Sequence, residues 1–239
     1  MRGKIACSLL LALLFCLSAA LAETPVLSLS TPPALETLEV AYIRDGALVT
    51  NLNAPNPSGI IARYTGVDLG ETAREVRCKA RFYGGGAVAL LVCPEGEWTV
   101  DGLTATAIHI VFAADGYYIG FCQDGVLKDV LTGSYKLDLS GEKEYTFGCR
   151  IVGSTLTVTL PTGRIVKKKD DRVKACGGPR VVFEHYLTAA DAANGFAPAI
   201  TYATAKGKEL PAYKDDFERE DGSLTTAPTG HVYALFRNE

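Results

Sequence analysis

The chain has 239 residues, 48% of them hydrophobic and 21% charged, with a formal net charge of −3. An apolar share that large supports a real core, which excludes an intrinsically disordered chain and removes the need for metal or disulfide staples. An acidic chain without an isolated basic block lacks the electrostatic footprint of a nucleic-acid binder, so nucleic acid is not an expected partner.

The first 22 residues read as a secretory signal peptide. Arg2 and Lys4 form a short positive region, Ile5 to Leu17 is apolar, and Ala20-Leu21-Ala22 is a small-x-small cleavage site before Glu23. The apolar run is shorter than the roughly 20 residues a spanning helix needs, so no membrane span is expected after cleavage. A lipoprotein anchor on Cys16 would want small residues before it, where Leu14-Phe15 stands. The location expected is secreted, periplasmic or cell-surface.

Residues 23–35 carry three prolines and form an extended lead-in. Strand signals then recur with turns between them. Val40 to Ile43 and Ala47 to Thr50 flank the hairpin turn Arg44-Asp45-Gly46, and Ile60 to Tyr64 follows. From Arg74 to Tyr83 the pattern alternates, with Arg77, Lys79 and Arg81 on one face and Val76, Cys78, Ala80 and Phe82 on the other. That is the period of a half-buried antiparallel strand. Ala87 to Cys93 is nearly continuously apolar. Thr106 to Ala113, Tyr117 to Gln123, Glu144 to Val152, Thr155 to Leu160, Arg180 to Tyr186 and Ala199 to Ala205 continue the series. Lys167-Lys168-Lys169, followed at once by Asp170-Asp171, reads as a solvated hairpin tip. Thr188 to Asn194 predicts two helical turns, capped by Thr188 and stopped at Gly195.

About twelve short strands and one minor helix, with no βαβ pattern, predict an all-β chain: an antiparallel two-sheet β-sandwich of the jelly-roll kind. The sandwich spans residues 36–205. Residues 206–239 add a loop and a final strand, Val232 to Phe236. Five cysteines remain after residue 22, an odd number without C-x-x-C or Cys/His metal spacing. Cys78 and Cys149 alternate with apolar neighbours and read as core-facing, while disulfide connectivity stays open.

The segment Lys214 to Tyr233 contains DDFEREDGSL and later a Pro-Thr-Gly turn. It resembles the opening signature of concanavalin A-like, laminin-G-type jelly-roll modules. Other pieces match in order the branch seen in bacterial secreted and phage tail-associated proteins: YTGVDLG from Tyr64, AIHIVF from Ala107, YTFGCRIVGSTLTVTLPTG from Tyr145 and DDRVKACGGPRVVFEHY from Asp170. The signature stands at the end of the chain instead of its start. Either the sandwich is circularly permuted, with the last strand closing a sheet edge, or a truncated second module begins there.

The resemblance implies carbohydrate chemistry. Retaining glucanases of this superfamily carry E-x-D-x-E on one strand, placing carboxylates on one face. That pattern is absent. Relatives of the alginate-lyase kind are matched only faintly, by Arg74-Glu75-Val76-Arg77 and Ala107-Ile108-His109. Sugar binding needs aromatic faces with polar partners. Trp98, in the polar stretch Glu95-Gly96-Glu97, and Tyr117, Tyr118 and Tyr186 are the aromatic candidates, with His109 and Glu184 as polar ones. Burial of Trp98 over the sandwich end and structural roles for His109 and Glu184 are the plainer alternatives. Asp68, Asp170, Asp171 and Asp221 offer loop oxygens to Ca2+, though no cofactor is required.

The expectation is therefore a secreted, non-catalytic module that binds a glycan or cell-surface polymer. A structural or adhesive protein engaging a partner by strand pairing is the alternative from another class. A polysaccharide lyase or glycosidase with an unrecognised site is the third.

Overall fold

A computed structural model describes residues 41–50, 60–95, 106–124 and 126–237 of the chain. Strands β1 (Ala41–Arg44) and β2 (Ala47–Thr50) form a hairpin. Asp45 and Gly46, at φ 51° and 69°, give it the left-handed two-residue turn that fits the twist of paired strands. β3 (Ile60–Asp68), β4 (Glu75–Tyr83) and β5 (Ala87–Glu95) follow, then β6 (Thr106–Ala113), β7 (Gly116–Gln123) and β8 (Val126–Ser134). Next come β9 (Ser140–Val152), β10 (Thr155–Thr159), β11 (Ile165–Lys169) and β12 (Arg180–Thr188). β13 (Ala199–Lys206), β14 (Tyr213–Asp215), β15 (Gly222–Ser223) and β16 (Tyr233–Arg237) complete the described chain.

These strands make two antiparallel sheets. One has nine strands in the order β11-β10-β9-β4-β13-β2-β1-β15, with β14 also pairing β13. The other has seven, β16-β3-β12-β5-β6-β7-β8. The chain is thus an all-β, two-sheet sandwich, as its patterning predicts. Alternation decides which face is buried. In β4, Val76, Cys78, Ala80 and Phe82 are fully buried while Arg77 and Arg81 are exposed. Opposite them the seven-stranded sheet contributes Leu90, Ile108, Ile110, Phe112 and Phe183. Phe112 and Phe147 meet across the interior with ring centroids 4.5 Å apart. Each such side chain contributes on the order of 1.5–3 kcal/mol on burial, which is what holds the layers together.

No two of the five cysteines Cys78, Cys93, Cys122, Cys149 and Cys176 are joined, and all five are buried. Burial pushes the Cys176 thiol up to about 11 and the Cys93 thiol up to about 12, so neither presents a thiolate at neutral pH. They act as small core hydrophobes.

Three elements depart from the sequence reading. Val126 to Ser134 is a strand, at the edge of the seven-stranded sheet. Lys167 to Lys169 belongs to the edge strand β11 rather than to a hairpin tip. The turn lies earlier, with Gly163 at φ 82°. Exposed lysines on a sheet edge discourage pairing with other chains. The short helix Asp171–Ala175 was also not legible. Asp170 caps it, its carboxylate accepting from Arg172 N. The expected helix after Thr188 is observed at Ala189–Ala193, where Thr188 Oγ1 accepts from Asp191 N and Asp191 Oδ2 accepts from Thr188 N. That reciprocal pair is a capping box.

The C-terminal segment from Tyr213 to Arg237, which contains DDFEREDGSL, spans both sheets. β14 pairs β13 and β15 pairs β1 in the nine-stranded sheet, whereas β16 pairs β3 at the edge of the other. Asp215 ties these pieces together. It is 1% exposed and accepts from Phe217 N at 2.7 Å, from Arg219 at 2.7 and 2.9 Å, and from Tyr233 Oη at 2.6 Å. Tyr213 Oη lies 2.7 Å from Tyr233 Oη. Phe217, at φ 55°, holds a left-handed backbone that a β-carbon disfavours, and its fully buried ring keeps it there. This lock is the physical content of the charged motif.

Candidate functional site

Two surfaces gather chemistry. The first is the face of the seven-stranded sheet that points away from the inter-sheet core. Because alternate residues share a face, His109 on β6, Tyr118 on β7, and Glu184 and Tyr186 on β12 all lie there. Small residues separate them: Ala87 and Ala89 on β5, Ala113 on β6 and Gly120 on β7. A β-carbon on Gly120 would stand 2.7 Å from Tyr118 Oη, so glycine is what lets that ring lie over it. His109 Nε2 comes within 3.3 Å of Glu184 Oε2, an ion-pair distance without hydrogen-bond geometry. The His109 ring lies 6.0 Å from that of Tyr118 and 6.4 Å from that of Tyr186.

This cluster is buried. Glu184 is 0% exposed, Tyr118 1% and His109 3%. Both Glu184 oxygens, both His109 nitrogens and Tyr118 Oη lack a hydrogen-bond partner among the described residues. The His109–Glu184 pair is enclosed, and Tyr186 is the member of the cluster that is only partly buried. Unsatisfied buried polar groups also cost stability. Replacing His109 and Glu184 together by leucine is therefore expected to raise the unfolding free energy by about 1–4 kcal/mol. Urea denaturation checks it, and a clear loss of stability would show that the pair supports the fold.

Other sequence candidates divide. Trp98 lies outside the described residues. Tyr117 faces the core, stacked on Tyr135 with centroids 6.3 Å apart, because it is one residue out of phase with Tyr118. It is not a surface platform. His185, opposite in phase to Glu184, is buried on the inner face, where desolvation lowers it to about 4.

The aspartates are occupied separately. Asp68 accepts from Gly70 N and lies 3.3 Å from Arg180. Asp170 is gripped by Arg172, which holds its carboxyl down at about 2. Asp171 stands in the first helical turn, and Asp221 accepts from Asp45 N. Among the described residues no three His, Cys, Asp or Glu side chains gather as a metal site.

The second surface is open: the outer face of the nine-stranded sheet. A groove of about 550 Å³ is lined by Arg77 and Lys79 of β4, Thr146 of β9, and Tyr202, Thr204 and Lys206 of β13. It shares Glu75, Arg77 and Thr146 with a second hollow of about 320 Å³, lined also by Gly148, Arg150, Thr157 and Thr159. The two run together across β13, β4, β9 and β10. Gly148 keeps the middle low, since a β-carbon there would collide with the Val76 carbonyl oxygen of the neighbouring strand.

Ion pairs hold the charged side chains of the groove in place. Glu75 pairs with Arg77 at 2.8 Å and Lys206 at 3.5 Å. Glu144 pairs with Lys79 at 3.1 Å and accepts from Thr201 Oγ1 at 2.6 Å. The Lys79 and Lys214 ammonium groups lie 5.8 and 5.9 Å from the Tyr202 ring centroid. An aromatic ring, threonine hydroxyls and fixed charges on a rigid sheet form a surface able to take a polar polymer without covalent chemistry. Sequence reasoning caught the β4 charges but missed Tyr202. The signal was there: Tyr202 and Thr204 alternate with buried Ala203 and Ala205.

No family model matches the chain, and no curated protein matches it. Among solved structures, chicken galectin 2 superposes at a TM-score of 0.40 with 12% identity, over 60% of this chain and 99% of that one. A congerin II double mutant gives 0.43 with 8% identity, over 59% and 98%. The carbohydrate-binding module CBM66 of Bacillus subtilis gives 0.35 with 16% identity, over 54% and 71%. All three TM-scores lie below 0.5, and the likeness supplies neither a family nor a ligand.

Proposed function

We propose that the protein is an exported, non-catalytic module of the concanavalin/laminin-G kind that binds a carbohydrate or cell-surface polymer. The observation that carries this reading is the open groove across the outer face of the nine-stranded sheet. It crosses several strands, so its walls are fixed by the ladder and little ordering is lost on binding. Tyr202 supplies an apolar ring face. Thr146, Thr157, Thr159 and Thr204 supply hydroxyls that donate and accept, and Arg77, Lys79 and Arg150 supply donors. The signal peptide over residues 1–22 would deliver such a module to where these polymers occur.

The test is a screen of the protein against glycans and cell-wall polysaccharides, with Tyr202→Ala and Trp98→Ala alongside. Tyr202→Ala is expected to weaken binding about tenfold or more, a loss of about 1.4 kcal/mol, while the fold stays intact. Loss only in Trp98→Ala would move the site away from the groove. Silence from the unmodified protein would remove the carbohydrate reading.

A further inference from the structure

The outer face of the nine-stranded sheet is charged out of proportion to the chain. β4 presents Arg77, Lys79 and Arg81 at alternate positions, about 7 Å apart along the strand. Arg150 lies across from Glu75 on β9. Lys206 and Lys214 stand on β13 and β14, and Lys167 and Lys169 on the outer side of β11. Against these eight cations the same strands turn out only Glu75, Glu142 and Glu144, a surplus of five on a chain whose net charge is −3. Glu75 and Glu144 are already engaged by Arg77, Lys206 and Lys79. Arg81, Arg150, Lys167, Lys169 and Lys214 have no carboxylate within ion-pair distance among the described residues.

We propose that the groove takes an anionic polysaccharide, a chain of sugars carrying regularly spaced acid groups. This rests on the polymer-binding reading above and adds the charge class of the ligand. Cations concentrated on one face of an acidic protein attract a polyanion and orient the protein as it arrives. The guanidinium forks of Arg77, Arg81 and Arg150 suit the planar or tetrahedral oxyanions of such a chain. Nucleic acid is the competing polyanion. Binding it as a single strand calls for successive aromatic platforms for the bases. Of the two aromatic residues that line the described hollows, Phe147 is buried in the core and Tyr202 faces outward, with Lys79 and Lys214 close to it. Threonine hydroxyls line the remainder, which favours sugars.

The experiment is calorimetry of the protein with polygalacturonate, heparin, dextran and single-stranded DNA, at 0.05 and 0.5 M NaCl. A triple variant, Arg81→Gln with Arg150→Gln and Lys214→Gln, is run beside it. These side chains are exposed, so the variant is expected to keep its melting temperature. The expected result is binding to polygalacturonate or heparin that weakens about tenfold or more both in high salt and in the variant, with none to dextran. Preference between the two separates chains bearing carboxylates alone from chains that also bear sulfates. Salt-insensitive binding to dextran overturns the anionic inference and leaves the carbohydrate reading standing. Binding to DNA alone overturns both, as does binding to none of the four together with silence on the polysaccharide screen.

Discussion

Replacing Asp215 by alanine is expected to lower the unfolding free energy by about 3 kcal/mol, with a fall in melting temperature of about 10 °C. The carboxylate is buried and collects four donors, from Phe217 N, two Arg219 nitrogens and Tyr233 Oη. Removing it leaves the Tyr233 hydroxyl buried without its acceptor and the Arg219 guanidinium, 30% exposed, without its counter-charge. It also frees the left-handed turn at Phe217 to relax. The damage crosses the sandwich, because Asp215 sits on β14 of one sheet and Tyr233 on β16 of the other. Asp215→Asn should recover part of the loss, since the amide oxygen still accepts from Phe217 N and Arg219. Urea denaturation followed by tyrosine fluorescence measures both variants. A loss below about 1 kcal/mol for the alanine variant would mean that the motif does not lock the C-terminal strand.

His185 gives the second large effect, and its direction is fixed by burial. Desolvation lowers the imidazole to about 4 from an ordinary value of 6.5. Between those values the unfolded chain binds a proton that the folded chain refuses, so stability falls as pH drops from about 6.5 to about 4. A shift of that size corresponds to about 3 kcal/mol across the window. At neutral pH the ring is uncharged in both states and contributes no pH slope. The His185→Leu variant should therefore lose about 3 kcal/mol less than the unmodified protein between pH 7 and pH 4. Carboxylates titrate in both proteins alike, so the difference between them isolates the imidazole. Equal losses would show that the ring is protonated within the fold.

Strand identity was legible where burial falls on one face. The alternation from Val76 to Phe82 specified both the strand and its core side, since a shift by one residue would put the Arg77, Lys79 and Arg81 charges into the interior. β8 was harder, because Lys128-Asp129 interrupts its alternation. In Ile165 to Lys169 consecutive lysines hid a strand, and its position at the sheet edge is why they are tolerated there. The phase of His109 and Glu184 could be read from alternation, but their closeness could not. It depends on the order β12-β5-β6, which places Ala89 and Leu91 between them. The groove was hidden for the same reason. Arg77, Arg150, Lys206 and Lys214 are far apart in the chain and meet only through the pairing of β4, β9, β13 and β14.

Hydrogen–deuterium exchange of the protein with and without a saturating polysaccharide ligand tests most directly where binding occurs. Protection is expected in β4, β9 and β13, around Arg77, Thr146 and Tyr202, with β5, β6 and β12 unchanged. Protection concentrated instead around His109 and Glu184 would contradict the assignment of the open groove as the binding face.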